Sequence, residues 1–248
     1  MTKLVIDIGN TATKIAVFDG DEVVITDHRA HIDNSLLEQL IAKYRISKAI
    51  IASVKKETDE VWRAPLSQKM EVLVYSRFMA HNINNQYLTP ETLGLDRLAG
   101  VSGARHLYPD KHTLVIDAGT CITYDAVDID GNYYGGSISP GLKMRYKALN
   151  SFTSGLPLIQ ADPEFGNAYG DNTATAIISG VQNGIKYEAE GFIKKYNRGA
   201  ESPNIILTGG DCVFLDTLLK NSIFAGYIKT EPYLVLKGLN AAIQEHND

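Results

Sequence analysis

One seven-residue pattern occurs twice in this chain, and it limits what the chain can fold into. Leu4-Val5-Ile6-Asp7-Ile8-Gly9-Asn10 returns 110 positions later as Leu114-Val115-Ile116-Asp117-Ala118-Gly119-Thr120. Each copy is an apolar, β-branched run broken by glycine, the pattern of a buried strand ending in a turn. The surroundings repeat as well. A second strand follows each turn, over residues 13–18 and 122–127, then an Asp-Gly turn (Asp19-Gly20, Asp130-Gly131), then a third strand. A repeat of this length is not a solenoid unit. Its order, spacing and turn chemistry predict two similar halves.

The rest of the chain fits that plan. Residues 34–44 carry Leu36, Leu37, Leu40 and Ile41 at helical spacing, and strands follow at 49–52 and 71–74 around a shorter helix at 61–68. The N-terminal part therefore reads βββαβαβ. Further helices are predicted over 97–106, 142–150, 173–196, 213–219 and 232–245, with a strand at 204–207. The long helix at 173–196 presents Ile177, Ile178, Val181, Ile185, Ala189, Phe192 and Ile193 on one face. The boundary is expected in the polar stretch 80–90, dividing the chain into residues 1–85 and 86–248, with the last helix free to pack back on the first half.

Composition narrows the class. With 248 residues, 44% of them apolar, the chain can bury a core without staples, and two cysteines, Cys121 and Cys212, make no disulfide scaffold. Two thiols fit a reducing compartment. A formal net charge of −5 and no Lys/Arg block argue against a nucleic-acid or anionic-membrane surface. No apolar run is long enough for a spanning helix and no signal-peptide pattern opens the sequence. The expectation is a soluble cytoplasmic protein.

Asp7 and Asp117 each close an apolar strand beside a glycine turn, where packing needs no carboxylate. Turn amides approach phosphate oxygens closely when glycine removes the side chain, and an acid beside them holds a cation or its water shell. One such aspartate is usually a turn stabiliser. Two on repeated hairpins point to a clamp on a phosphate chain, with Thr11 and Thr120 adding hydroxyls. Lys14 either reaches a phosphate or is a solvated strand residue. Thr208-Gly209-Gly210 is a third close-approach loop, and no P-loop or dinucleotide fingerprint is present. Gly94-Leu95-Asp96-Arg97 opens a helix: Asp96 is either its N-cap or a general base for a hydroxyl, with Arg97 as an anion contact. The six histidines, His28, His31, His81, His106, His112 and His246, show no metal-pair spacing and read as surface or satisfied residues, and Cys121 reads as packing.

These segments, in this order, resemble the type III pantothenate kinases of the actin/sugar-kinase/Hsp70-like superfamily. The likeness extends to Gly135-Gly136-Ser137-Ile138-Ser139-Pro140-Gly141, Gly170-Asp171-Asn172-Thr173 and Leu236-Lys237-Gly238-Leu239, and so covers nearly the whole chain. The one departure noted is Cys121, where a small residue is usual. The resemblance implies an α/β fold of two actin-like (ribonuclease H-like) halves, each a mixed sheet flanked by helices, with ATP in the cleft. It implies ATP-dependent phosphorylation of the pantothenate 4′-hydroxyl, the first step towards coenzyme A. By position, Asp7, Ile8, Gly9, Asn10, Thr11, Ala12, Thr13 and Lys14 would form the first phosphate loop, and Thr120 would also touch ATP. Asp117 would sit at a potassium or ammonium site, and Mg2+ would accompany the nucleotide. Asp96 would accept the proton, with Tyr87, Gly94, Leu95, Asp96, Arg97 and Thr173 contacting pantothenate. The functional unit would be a homodimer. The competing readings are another small-molecule kinase of the superfamily and a non-catalytic nucleotide-binding regulator, against which the intact Asp96-Arg97 pair counts.

Overall fold

A computed structural model describes residues 2–9, 11–30, 33–53, 58–196 and 204–245. His31 and His246 lie outside the described residues. In chain order the elements are β1 (Thr2–Ile8), β2 (Thr13–Asp19), β3 (Glu22–Arg29), α1 (Asn34–Tyr44), β4 (Lys48–Ser53), α2 (Thr58–Ser67), β5 (Glu71–Val74), β6 (Asn84–Asn85), α3 (Leu95–Leu107), β7 (Thr113–Ala118), β8 (Cys121–Val127), β9 (Asn132–Pro140), α4 (Leu142–Ser151), α5 (Thr173–Tyr196), β10 (Asn204–Thr208), α6 (Cys212–Leu219), β11 (Ile228–Thr230) and α7 (Leu234–Glu245). They form two compact units. Unit 1 comprises Met1–Asp110, Asp130–Tyr134 and Tyr233–Asp248, and unit 2 comprises Lys111–Ile129 and Gly135–Pro232.

In unit 1 the sheet runs β3-β2-β1-β4-β5. The hairpin strands β1 and β2 are antiparallel, and β4 and β5 add in parallel on the other side of β1. β1 is buried on both faces, as a central strand between helix layers must be. Leu4, Ile6 and Ile8 pack with Leu37 and Leu40 of α1 and Leu66 of α2, while Val5 packs with Ala99 of α3 and Leu236, Leu239 and Ile243 of α7. Successive strand residues face opposite sides, so Asp7 shares the face of Val5, the one covered by α3 and α7. Each such buried Leu or Ile contributes about 1.5–3 kcal/mol relative to exposure. Asp33 caps α1 by accepting the Leu36 N–H at 2.8 Å.

The compact units part after Asp110 and not in the stretch 80–90, because α3 belongs with α7. Gly238 of α7 lies so close to α3 that a Cβ there would collide with the Ala99 carbonyl. In the same unit Asn84 and Asn85 of β6 pair with Asn132 and Tyr133 at the start of β9.

Unit 2 repeats the topology. Its strands run β11-β10-β7-β8-β9, with β7 and β8 antiparallel and β10 and β11 added in parallel. Strand for strand this matches β5-β4-β1-β2-β3, so the sequence repeat is a repeat of fold. The apolar face of α5 is spent inside this unit: Ile177, Ile178, Val181, Ile185, Ala189 and Ile193 pack with Leu114, Ile116, Ile122 and Leu207. That stripe is therefore not available to cover a second copy. β6 and β11, two and three residues long, are too short for any periodicity to announce them.

Candidate active site

The first loop joins β1 to β2. Gly9 donates its N–H to the Ala12 carbonyl at 3.1 Å, which closes the turn. Asp7, 7% exposed, stands directly opposite Lys14 in the antiparallel register. Directly opposed residues project to the same face, so the half-buried Lys14 shares the face of Asp7. Ile8 and Thr13 are buried, Thr11 is exposed, and Asn10 lies outside the described residues.

α3 supplies the second group. Gly94 is its N-cap residue, with the extended-side dihedrals φ −58 and ψ 129, so Asp96 lies in the first turn and the N-cap reading of Asp96 does not hold. The Asp96 carboxylate folds back instead, and Oδ1 accepts the Arg97 N–H at 2.8 Å. A Cβ on Gly94 would meet that same oxygen, so the glycine leaves the room in which the Asp96 carboxylate sits. Leu95 lies half-buried against the Val5–Phe18–Leu239 cluster. Arg97 is only 9% exposed, and its guanidinium carbon sits 5.8 Å from the centroid of the Tyr87 ring. Tyr87 in turn stacks on Tyr133, with centroids 6.4 Å apart. The structure thus gathers Tyr87, Gly94, Asp96 and Arg97 in unit 1.

The second loop, in unit 2, joins β7 to β8 through Gly119 and Thr120. Gly119 donates its N–H to the Cys121 carbonyl at 2.9 Å, and Gly141 donates to the Thr120 carbonyl at 3.1 Å. Asp117 pairs in register with Thr208 at the end of β10. The next residue, Gly209, has φ +90 and a Cβ there would strike Asp117 Oδ1 and the Ala118 carbonyl. Only glycine combines that left-handed backbone with so close an approach. The third glycine loop therefore packs directly on the second. Asp211 follows, donating its N–H to the Ala118 carbonyl at 2.8 Å. Asp211 is one of the residues around a small, mostly apolar cavity that Ala118, Gly119, Leu142 and Phe214 also line. Burial raises the Asp211 pKa above the usual carboxylate value, a shift that the nearby Lys143 opposes. In the sequence, Asp211 is marked only by its place directly after Thr208-Gly209-Gly210.

Thr173 opens α5 and is exposed. The residues around it build a reciprocal cap: Asn172 Oδ1 accepts the Thr175 N–H, and Thr175 Oγ1 accepts the N–H groups of Asp171 and Asn172, each at 3.1 Å. Among the described residues no three His, Cys, Asp or Glu side chains cluster as a metal cage. A cation bound by one carboxylate would take its remaining ligands from water and phosphate oxygens, as Mg2+ does at nucleotides.

Comparison with known proteins decides the family. The family model for type III pantothenate kinase matches residues 3–195. The type III pantothenate kinase of Phocaeicola vulgatus is 42% identical over 245 residues, covering 99% of this chain and 98% of its own length. That of Bacteroides fragilis is 44% identical, covering 98% of each. The chain belongs to the type III pantothenate kinase family. Solved structures agree on the fold. A Campylobacter jejuni chain described as a Baf family transcriptional activator superposes with a TM-score of 0.63 at 20% identity, covering 98% of both chains. The activator of 2-hydroxyisocaproyl-CoA dehydratase from Clostridium difficile gives 0.56 at 14% identity, covering 100% of this chain and 95% of the other. At such identities the likeness is one of actin-like architecture alone, two mixed sheets flanked by helices.

Proposed function

We propose that this enzyme transfers the γ-phosphoryl group of ATP to the 4′-hydroxyl of pantothenate, giving 4′-phosphopantothenate and ADP, the first step of coenzyme A biosynthesis. The observation that carries the reading is the near full-length match to type III pantothenate kinases. The grouping of Tyr87, Gly94, Asp96 and Arg97 supports the residue assignments.

Phosphoryl transfer asks mainly for positioning and charge stabilisation, with one base for the attacking hydroxyl. Asp96 is that base. Oδ1 is engaged by the Arg97 N–H, while Oδ2 has no hydrogen bond among the described residues and takes the hydroxyl proton as the oxygen attacks phosphorus. Arg97, its guanidinium set over the Tyr87 ring, offers a cation to the pantothenate carboxylate. Leu95 packs on the core cluster beside Asp96, and Thr173 contributes its exposed hydroxyl to pantothenate. The backbone of residues 7–14 and the Thr120 hydroxyl bind phosphate oxygens, with Lys14 adding charge. Mg2+ and a potassium or ammonium ion, the latter on Asp117, supply charge neutralisation at the phosphates. The working form is a homodimer in the cytoplasm. No described helix is long and apolar enough to cross a membrane.

The test is a coupled assay of ADP release. Pantothenate should be turned over in the presence of Mg2+ and potassium, and chelation should bring the rate close to zero until Mg2+ is restored. No turnover of pantothenate, with brisk turnover of a sugar, would overturn the substrate assignment.

A further inference from the structure

Unit 2 carries a half-buried charged cluster that the proposed reaction does not use. Arg145, on α4, donates from Nε to the Pro140 carbonyl at 2.8 Å. Its Nη2 donates to Ser139 Oγ at 2.8 Å and to Glu188 Oε2 at 2.6 Å. Ser139 Oγ donates to the same Glu188 oxygen at 3.0 Å, and the Tyr124 hydroxyl donates to Glu188 Oε1 at 2.9 Å. Four elements, β8, β9, α4 and α5, thus meet at one carboxylate. Burial, with the Glu188 charge second, pushes the Tyr124 phenol well above its usual pKa, so it remains a donor throughout the working range.

An ion pair withdrawn from water is weak evidence of stability, since desolvation offsets most of the attraction. What a planar guanidinium provides is direction, because its donors are fixed relative to one another. Here they fix the Pro140 carbonyl against Glu188. Pro140 is followed by Gly141, whose N–H holds the Thr120 carbonyl at 3.1 Å. Gly141 also lies so close to the Gly119 and Thr120 carbonyls that a Cβ would collide with both. The two backbones are thus in direct contact and joined by a hydrogen bond, a route by which the placement of residues 139–141 can set that of residues 119–120.

We infer that the Arg145–Glu188 pair is a positioning device for the second phosphate loop, setting Gly119 and Thr120 through Pro140 and Gly141 without itself touching the nucleotide. The inference rests on the reading of that loop as an ATP contact.

The experiment uses the full chain and the variants Arg145→Ala, Arg145→Lys, Glu188→Gln and Thr120→Ala. Steady-state kinetics are measured with ATP and pantothenate varied in turn, alongside thermal unfolding and amide exchange over residues 118–124. Loss of positioning at a distance costs roughly tenfold to a hundredfold, so Arg145→Ala should raise the KM for ATP by about tenfold or more. Its KM for pantothenate should stay within about twofold, and exchange at residues 119–121 should quicken. Arg145→Lys should recover part of the loss, because it restores the charge towards Glu188 but not the second bond to Pro140. Glu188→Gln should fall between, since an amide still accepts from Tyr124. An unchanged KM for ATP in a folded Arg145→Ala protein, or an equal rise in both KM values, overturns the inference. Should Arg145→Ala not fold, Arg145→Lys and Glu188→Gln decide by the same split. Thr120→Ala scores the underlying reading separately: an unchanged KM for ATP there removes the Thr120 hydroxyl as a nucleotide contact, while the Arg145 and Glu188 variants still decide the positioning role.

Discussion

Asp96 owes its usefulness to its two neighbours. The Arg97 N–H engages Oδ1 and so fixes the carboxylate, and Gly94 leaves the space the carboxylate occupies. Asp96→Asn keeps the shape and removes the proposed base. We expect turnover to fall about 10²–10⁴-fold with ATP binding nearly unchanged, read by single-turnover rates and nucleotide titration. Wild-type turnover in Asp96→Asn would falsify the base assignment. Gly94→Ala tests the geometry without touching the acid. Its dihedrals suit alanine, so the backbone is not strained; the new methyl instead displaces Oδ1. Turnover should drop roughly tenfold to a hundredfold while the unfolding midpoint barely moves, and a fall in stability with normal turnover would show that the methyl is absorbed elsewhere. Asp117→Asn should flatten activation by potassium more than it raises the KM for pantothenate. Potassium titrations of both proteins check this, and superimposable curves would remove the cation from Asp117.

At the scale of elements, what the sequence reveals depends on how local the cause is. The two hairpins can be read because strand alternation, the glycine turns and the Asp-Gly turns all lie within about thirty residues, the reach of one supersecondary unit. The helix at Thr173–Tyr196 can be read from its apolar face alone. The stacking of Arg97 over Tyr87 cannot, because it depends on where β6 pairs with β9. Nor can the Arg145–Glu188 contact, which joins two helices 43 positions apart in sequence. The α3–α7 packing is likewise hidden: nothing around Gly238 says that Ala99 will lie against it. Overpacking a site this tight costs typically about 1–3 kcal/mol. Gly238→Ala should therefore lower the urea midpoint at constant slope. Because α3 carries Asp96 and Arg97, it should also lower kcat. Unchanged stability would mean that α7 can move away from α3 without loss.

At the scale of the molecule, the residues drawn on by the proposed reaction are shared out. Unit 1 holds residues 7–14, Tyr87, Asp96 and Arg97, and unit 2 holds Asp117, Thr120 and Thr173. Such a division raises the question of which copy of unit 2 serves a given Asp96. The homodimer proposed for this enzyme allows Thr173 to act in its own chain or in its neighbour's. The apolar face of α5 gives no help in choosing, since it is consumed within unit 2. What remains is position: Thr173 is exposed at the start of α5, between the Asn172 and Thr175 that cap the helix. We expect Thr173 to reach the neighbouring subunit's pantothenate. Asp96→Ala and Thr173→Ala should each be nearly inactive alone. Unfolded together and refolded, half the dimers are mixed, and in each mixed dimer one site receives both intact residues while the other receives neither. Random pairing then restores about a quarter of wild-type sites. If native mass measurement shows mixed dimers and the activity stays at the parental level, Thr173 serves its own chain.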